Sequence, residues 1–244
     1  MIFIIIWQKE FDMLDLLKQR VLEANLALVS HQLVLFTWGN ASERDPETGY
    51  MVIKPSGVPY DQMKAEQMVV LDADGKQLEG DLKPSSDAPT HLELYRNFPD
   101  LGGVVHTHSP WASSWAQAGK PIPVYGTTHA DYFYGPIPCS SSLTQEEVEG
   151  DYEHNTGRLI VETFEHLDYH SMPGVLVYGH GPFTWGKDVL EAVHHAVVLE
   201  EVAMMAFRTE LLGNHKTLDQ YLLDKHYARK HGKGAYYGQD NKNL

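Results

Sequence analysis

The chain has 244 residues, 43% hydrophobic and 21% charged, which fits one globular domain able to bury a core without covalent staples. Its net charge of −14 argues against nucleic acid or an anionic membrane as the main partner, while a local cluster of donors still permits a small phosphorylated molecule. The single cysteine, Cys139, excludes an internal disulfide and fits a cytoplasmic protein, and fourteen histidines point towards metal or acid–base chemistry without locating it.

In chain order, residues 1–7 (MIFIIIW) form an apolar run too short to span a membrane, and they lack the flanks of a signal peptide. Met13 opens an amphipathic helix over 13–29, with Leu14, Leu17, Val21, Ala24 and Leu28 on one face, so residues 1–12 read as an extension outside the fold. Residues 33–37 (LVLFT) read as a buried strand, followed by a polar turn at 38–40. Strands are expected over 50–54 and 68–71, the second leading into a hairpin turn at Asp74-Gly75. A helix over 88–98 carries Pro89 in its first turn, a strand covers 103–108, and Pro110 opens a helix over 110–118. Thr144 and Glu147 form a capping box, 174–178 is a strand, and 187–212 is the longest helix. A last helix over 217–231 leads into a tail rich in glycine and tyrosine. The interleaving predicts a single α/β domain with a mixed or mostly antiparallel sheet flanked by helices. Neither GxGxxG nor GxxxxGK[ST] occurs, so no nucleotide-binding motif is present.

Several clusters carry chemistry-bearing residues. His106 and His108, two apart on an expected strand, point to one face and suit a divalent ion; they also read as ordinary surface histidines. His180 lies between two glycines just past a strand, where functional loops occur. Lys83-Pro84-Ser85-Ser86-Asp87 precedes a helix, as a phosphate cradle would, although Ser86 or Asp87 equally reads as its N-cap. Asn40 after Gly39, and Lys54 with Ser56 and Gly57, are further anion-binding candidates or plain turns. Asp131 sits in a polar run at 126–132, and His226 and Arg229 share a helix face.

Taken together and in order, these segments resemble the class II aldolase/epimerase family. The matching runs are TWGNAS at 37–42, IKPSGV at 53–58, KPSSDAPTH at 83–91, GGVVHTHS at 102–109, GTTHADYFYG at 126–135, MPGVLVYGHGPFTWG at 172–186 and LLDKHYARKHGKGAYYGQ at 222–239. They span a domain of 13–239, leaving 240–244 as a tail. The resemblance implies a three-layer α/β/α fold and a metal held by His106, His108 and His180, with Asp87 as a fourth or nearby ligand. Zinc suits such a set, and manganese or cobalt can serve. It further implies a phosphate site of Asn40, Lys54, Ser56, Gly57, Ser85 and Ser86, and acid–base groups Asp131 and Tyr237 with His226 and Arg229 close by. The tail tyrosine is expected to reach a neighbouring subunit of a homotetramer whose active sites lie at subunit interfaces. The implied reaction is C4 epimerisation of L-ribulose 5-phosphate by opening and re-forming the C3–C4 bond, as used in arabinose or ascorbate breakdown. The rivals are a sugar-phosphate aldolase of the fuculose- or rhamnulose-phosphate type and a non-enzymatic metal-binding protein. Family aldolases typically carry Glu where this chain has Asp87, which favours the epimerase.

Overall fold

A computed structural model of the protein describes residues 2–213, 215–232 and 234–237, with side chains from residue 13 onward. In chain order the elements are α1 (Ile2–Ser30), β1 (Asn40–Arg44), β2 (Met51–Ile53), β3 (Val69–Leu71), β4 (Gln77–Glu79), α2 (Ala88–Asn97), β5 (Gly103–His106) and α3 (Pro110–Ala118). They continue with α4 (Thr127–Ala130), α5 (Gln145–Glu149), α6 (Tyr152–Thr163), β6 (Gly174–Leu176), β7 (Pro182–Gly186), α7 (Val189–Leu212) and α8 (Gln220–Lys230). The strands make one seven-stranded sheet in the order β4-β3-β2-β1-β5-β7-β6, with every neighbouring pair antiparallel. No described helix is long and apolar enough to cross a membrane.

Both faces of the sheet are covered, which is why β2 and β3 read as unbroken apolar runs. Successive strand residues point to opposite faces. Val52, Val70, Val105 and Ala41 therefore pack with the apolar stripe of α1 (Leu14, Leu17, Val21, Ala24, Leu28) and the start of α7. Met51, Ile53, Val69, Leu71 and Val104 pack on the other side with α2, α3 and Ile160 of α6. The helix α7 contributes Val189, Ala192, Val193 and Ala196 to the first core and Leu199, Val202, Ala203 and Ala206 to the second. The expected three-layer α/β arrangement is the one observed.

The expected strand over 33–37 does not form. Leu33 and Val34 are buried against the end of α1, but Gln32 and Phe36 turn the chain with φ of 59° and 52°, and Leu35 and Phe36 are 62% and 78% exposed. The strand begins instead at Asn40, where a turn was expected. Gly39 makes that entry possible: its φ is +82°, and a Cβ there would stand 2.8 Å from the His106 carbonyl oxygen. The strands β4 and β7 were not anticipated, and β5 stops at His106 rather than 108. The helix α1 begins at Ile2, well before residue 13. The side chains of residues 2–12 and the tail 240–244 lie outside the described residues, so the expected extension and tail are not addressed there.

One charged residue is held at the edge of the first core. Glu43 is 3% exposed, pairs with Arg20, and has its Oε2 buried without a partner among the described residues. Burial pushes its carboxyl from 4.5 to about 7, against the pull of Arg20. A folded-state value above the unfolded one means that this group favours folding at low pH and loses that contribution as pH rises between those two values. By urea unfolding, wild type should therefore lose stability relative to Glu43→Gln as pH rises from about 4.5 to about 7. Parallel profiles would contradict the assignment.

Candidate active site

The sheet's register brings the first set of site residues together. Asn40 pairs across from His106, and His106 from Phe183, at the end of the sheet where β5 stops. His108 follows two residues beyond the strand, and His180 sits on the turn between β6 and β7. The ring centroids lie 4.9 Å (His106–His108), 4.6 Å (His106–His180) and 5.0 Å (His108–His180) apart. One nitrogen from each lies within 4.8 Å of the others. Gly181 permits this closeness, since a Cβ there would lie 2.6 Å from the Thr107 carbonyl oxygen.

The donor set fits a divalent ion. His106 Nδ1 is 3.0 Å from the Pro182 carbonyl oxygen, which only accepts, so Nδ1 carries the proton. Its Nε2 lone pair is then free, and that atom is buried with no hydrogen-bond partner among the described residues. A ligating histidine with its other nitrogen donated to a carbonyl is the usual arrangement in metal sites. Phe183 stacks on the His106 ring at 4.2 Å and excludes water from one side. Burial lowers His106 to about 3, against the opposing charge of Asp87, and lowers His108 and His180 as well. The three rings are thus held neutral, the form that ligates metal.

Asp87 stands beside this triad. It occupies the N-cap position of α2, yet its carboxylate does not cap the helix. Oδ2 instead accepts from Asn40 Nδ2 at 2.6 Å, and Asn40 Nδ2 also donates to Ser85 Oγ at 3.0 Å. The capping reading of Asp87 is therefore overturned: the side chain is drawn towards the site. Burial pushes its carboxyl up, but His106, His91, the Asn40 hydrogen bond and His180 outweigh this and leave it low.

The anion-binding candidates gather at the same end. The segments around residues 54–57 and 83–87 are laced by Ser56 N–H to the Lys83 carbonyl and Ser85 N–H to the Lys54 carbonyl, both 2.9 Å. Lys54 is 2% exposed, and among the described residues its ammonium donates only to carbonyls, of Thr37 at 3.3 Å and Pro55 at 3.4 Å. Burial lowers its pKa, with Asp87 opposing. Ser85 is buried, while Ser56, Gly57 and Ser86 are exposed.

A second group forms around Asp131, at the end of α4. Arg229 donates to both carboxylate oxygens, Nε to Oδ1 at 2.8 Å and Nη2 to Oδ2, and His226 Nδ1 lies 3.0 Å from Oδ1. The Arg229 guanidinium in turn lies 5.0 Å from the centre of the Tyr237 ring, and Tyr237 N–H donates to the Arg229 carbonyl at 3.1 Å. Burial pushes the Asp131 carboxyl up, but Arg229 and His226 more than offset this and hold it low, hence ionised at neutral pH. All four expected acid–base residues therefore meet. Among the described residues, no hydrogen bond, ion pair or ring contact joins this group to the histidine triad within one chain.

Residues 19–207 match the family model described as class II aldolase and adducin N-terminal domain, and the chain belongs to that family. Solved structures agree on the fold. An L-fuculose 1-phosphate aldolase is 24% identical, with 86% of this chain and 93% of that one covered and a TM-score of 0.74. The L-fuculose 1-phosphate aldolase from Glaciozyma antarctica PI12 is 17% identical, covering 91% and 84%, with a TM-score of 0.73. YgbL from Escherichia coli is 22% identical, covering 88% of this chain and all of that one, with a TM-score of 0.71.

Three neighbours of the site escaped sequence reasoning. Phe183 lies on an unanticipated strand. Tyr152, whose hydroxyl is 3.4 Å from His180 Nδ1, comes from α6. His91, without a visible partner in sequence, bonds Ser42; its place one helical turn after Asp87 was the available signal. If the three histidines hold the ion, His108→Ala should purify with far less than the about one zinc per chain expected of wild type by elemental mass spectrometry. Its circular dichroism should be unchanged, because His108 is exposed. Full zinc content in that variant would remove His108 from the ligand set.

Proposed function

We propose that the chain is a zinc-dependent L-ribulose-5-phosphate 4-epimerase, forming D-xylulose 5-phosphate. The observation that carries this reading is the meeting of two different proton-transfer groups, Asp131 and Tyr237, on one guanidinium, in a chain that also gathers three metal-ligating histidines. The C4 proton is not adjacent to the carbonyl of a 2-ketose, so direct proton removal at C4 is hard. Opening the C3–C4 bond avoids that difficulty. The substrate then divides into a three-carbon enediolate and glycolaldehyde phosphate, and rejoining on the other face of the aldehyde inverts C4.

Such a scheme asks for a proton acceptor on one face of the aldehyde and a donor on the other. Asp131, held ionised by Arg229 and His226, takes the O4 proton as the bond opens. The Tyr237 phenol gives a proton to O4 as the bond re-forms on the opposite face; microscopic reversibility exchanges the two roles in the reverse direction. Asn40, Lys54, Ser56, Gly57, Ser85 and Ser86 anchor the phosphate while the aldehyde turns. A divalent ion held by His106, His108 and His180, with Asp87 as fourth or nearby ligand, supplies Lewis-acid stabilisation for the enediolate charge; zinc suits these donors, and manganese or cobalt can replace it.

The separation of the two groups within one chain supports a site completed between copies. We take the assembly to be a homotetramer in which the Asp131–Tyr237 group of one copy faces the histidines of the next. The exposed Phe36 and Trp38, the latter 6.3 Å from the His108 ring, offer an apolar rim for that contact.

A sugar 1-phosphate aldolase is the second reading, favoured by the names of the similar solved structures. Against it stands Asp87, whose short side chain rests on Asn40 beside the histidines. A coupled assay with L-ribulose 5-phosphate should show D-xylulose 5-phosphate formation that a chelator abolishes and zinc restores. Turnover of L-fuculose 1-phosphate instead would establish the aldolase, and bound metal with neither activity would favour a binding protein. Asp131→Asn should keep its metal and lose roughly 10²–10⁴-fold in epimerisation; unchanged turnover would remove Asp131 from the reaction.

A further inference from the structure

The sheet splits where the anion-binding candidates gather. On β1 the Arg44 N–H bonds the Gly102 carbonyl at 2.7 Å, on the β5 side. Backbone groups alternate sides along a strand, so those of Ser42 and Asn40 also face β5, and those of Glu43 and Ala41 face β2. Glu43 has Val52 opposite it, and the pairing with β2 ends at Ser42–Ile53. The residue that would come opposite Ala41 is Lys54, but there the chain has turned away. The Lys54 carbonyl accepts instead from the Ser85 N–H at 2.9 Å, and Pro55 forms a bridge with Pro84. Ala41 is fully buried, and on that side its backbone groups have no strand residue opposite them.

A side chain from α1 takes the missing place. The Asn25 amide accepts from the Ala41 N–H at 3.1 Å and donates to the Ala41 carbonyl at 3.2 Å, as a neighbouring strand would. Its Nδ2 also donates to the Val21 carbonyl of its own helix at 2.7 Å. Asn25 is 0% exposed, one turn from both Val21 and Leu28 of the apolar stripe. Asparagine is a poor helix former, and an amide is costly to bury unless it is bonded. Leucine would suit the stripe but leave a buried N–H and a buried carbonyl unpaired on β1. Asn25 is therefore explained by what it does for the strand rather than for its own helix.

We propose that Asn25 is a positioning residue of the anion site: it completes β1 at Ala41 and so holds Asn40 in place where β2 departs with Lys54. Asn40 is the next residue in the chain, pairs with His106 on β5, and donates from Nδ2 to Ser85 Oγ at 3.0 Å. Asn25 acts through Asn40 and touches neither anion nor metal. The role rests on the anion-site reading given above.

The probe is inorganic phosphate, titrated calorimetrically into the purified full-length chain. Wild type should bind it, and Lys54→Met should abolish binding, which places the phosphate at this site. Asn25→Leu should weaken phosphate binding roughly tenfold, the equivalent of about one lost hydrogen bond. In an Asn40→Ala background the same substitution should cause no further loss, because the effect passes through Asn40. Val21→Ala, a core truncation one turn away on the same helix, should lower the melting temperature and leave phosphate affinity unchanged. Asn25→Ala, which leaves room for water at Ala41, should weaken binding in the same direction and serves if the leucine variant does not fold. Wild-type affinity in the Asn25 variants, an equal loss in Val21→Ala, or an undiminished loss without Asn40 would overturn the proposal while leaving the anion site standing. No phosphate binding by wild type, or binding that Lys54→Met leaves intact, would overturn the anion-site reading and this proposal together.

Discussion

The register of β5 between β1 and β7 is the constraint on which the site depends. Because strand side chains alternate, a slip of one residue would send His106 to the α1 face and Val105 into the site. The observed register sets Asn40 and Phe183 on either side of His106. It is fixed by burial on both faces, since Val104 and Val105 each have a core to fill. The catalytic candidates thus inherit their positions from packing they do not themselves provide.

Burial then sets the chemistry. The same cores that hold the sheet leave His106 and His91 fully inside, and desolvation keeps both neutral. Lys54, also buried, donates among the described residues only to carbonyls, and burial lowers its pKa with Asp87 opposing. The Asp131 group is built differently. There a bidentate guanidinium keeps a carboxylate ionised despite its burial, and the exposed tail is tied to the same arginine. One group thus gathers neutral ligands and anion donors, and the other gathers proton-transfer groups.

Much of this was legible in the sequence where pattern and environment agree. The helices α2 and α3 and the hairpin after β3 fall where periodicity, Pro89, Pro110 and Asp74-Gly75 put them. The strand β1 was hidden because its residues, NASER, turn Asn40 and Ser42 towards a polar ladder and leave only Ala41 with an apolar signature. The run 33–37 misled for the opposite reason: it is apolar, but Leu35 and Phe36 face outward next to the site. The strand β7 begins with a proline, a discouraging signal that is tolerated at a strand's first position. Of the site residues, the histidine pair, His180 and Asp131 announced themselves as candidates. Tyr237 gained weight only from the order of motifs, and the His91–Ser42 contact needed the helix placed over β1 before it could be seen.

In the proposed assembly the histidine triad of one copy works with the Asp131–Tyr237 group of another. The most direct measurement is complementation between two inactive chains, His180→Ala and Asp131→Asn, co-refolded into mixed assemblies and assayed for D-xylulose 5-phosphate. Each variant alone should be nearly inactive, and mixing should restore activity, because some interfaces then join an intact triad to an intact acid–base group. Mixed assemblies with no more activity than the separate variants would contradict it and return both groups to a single chain.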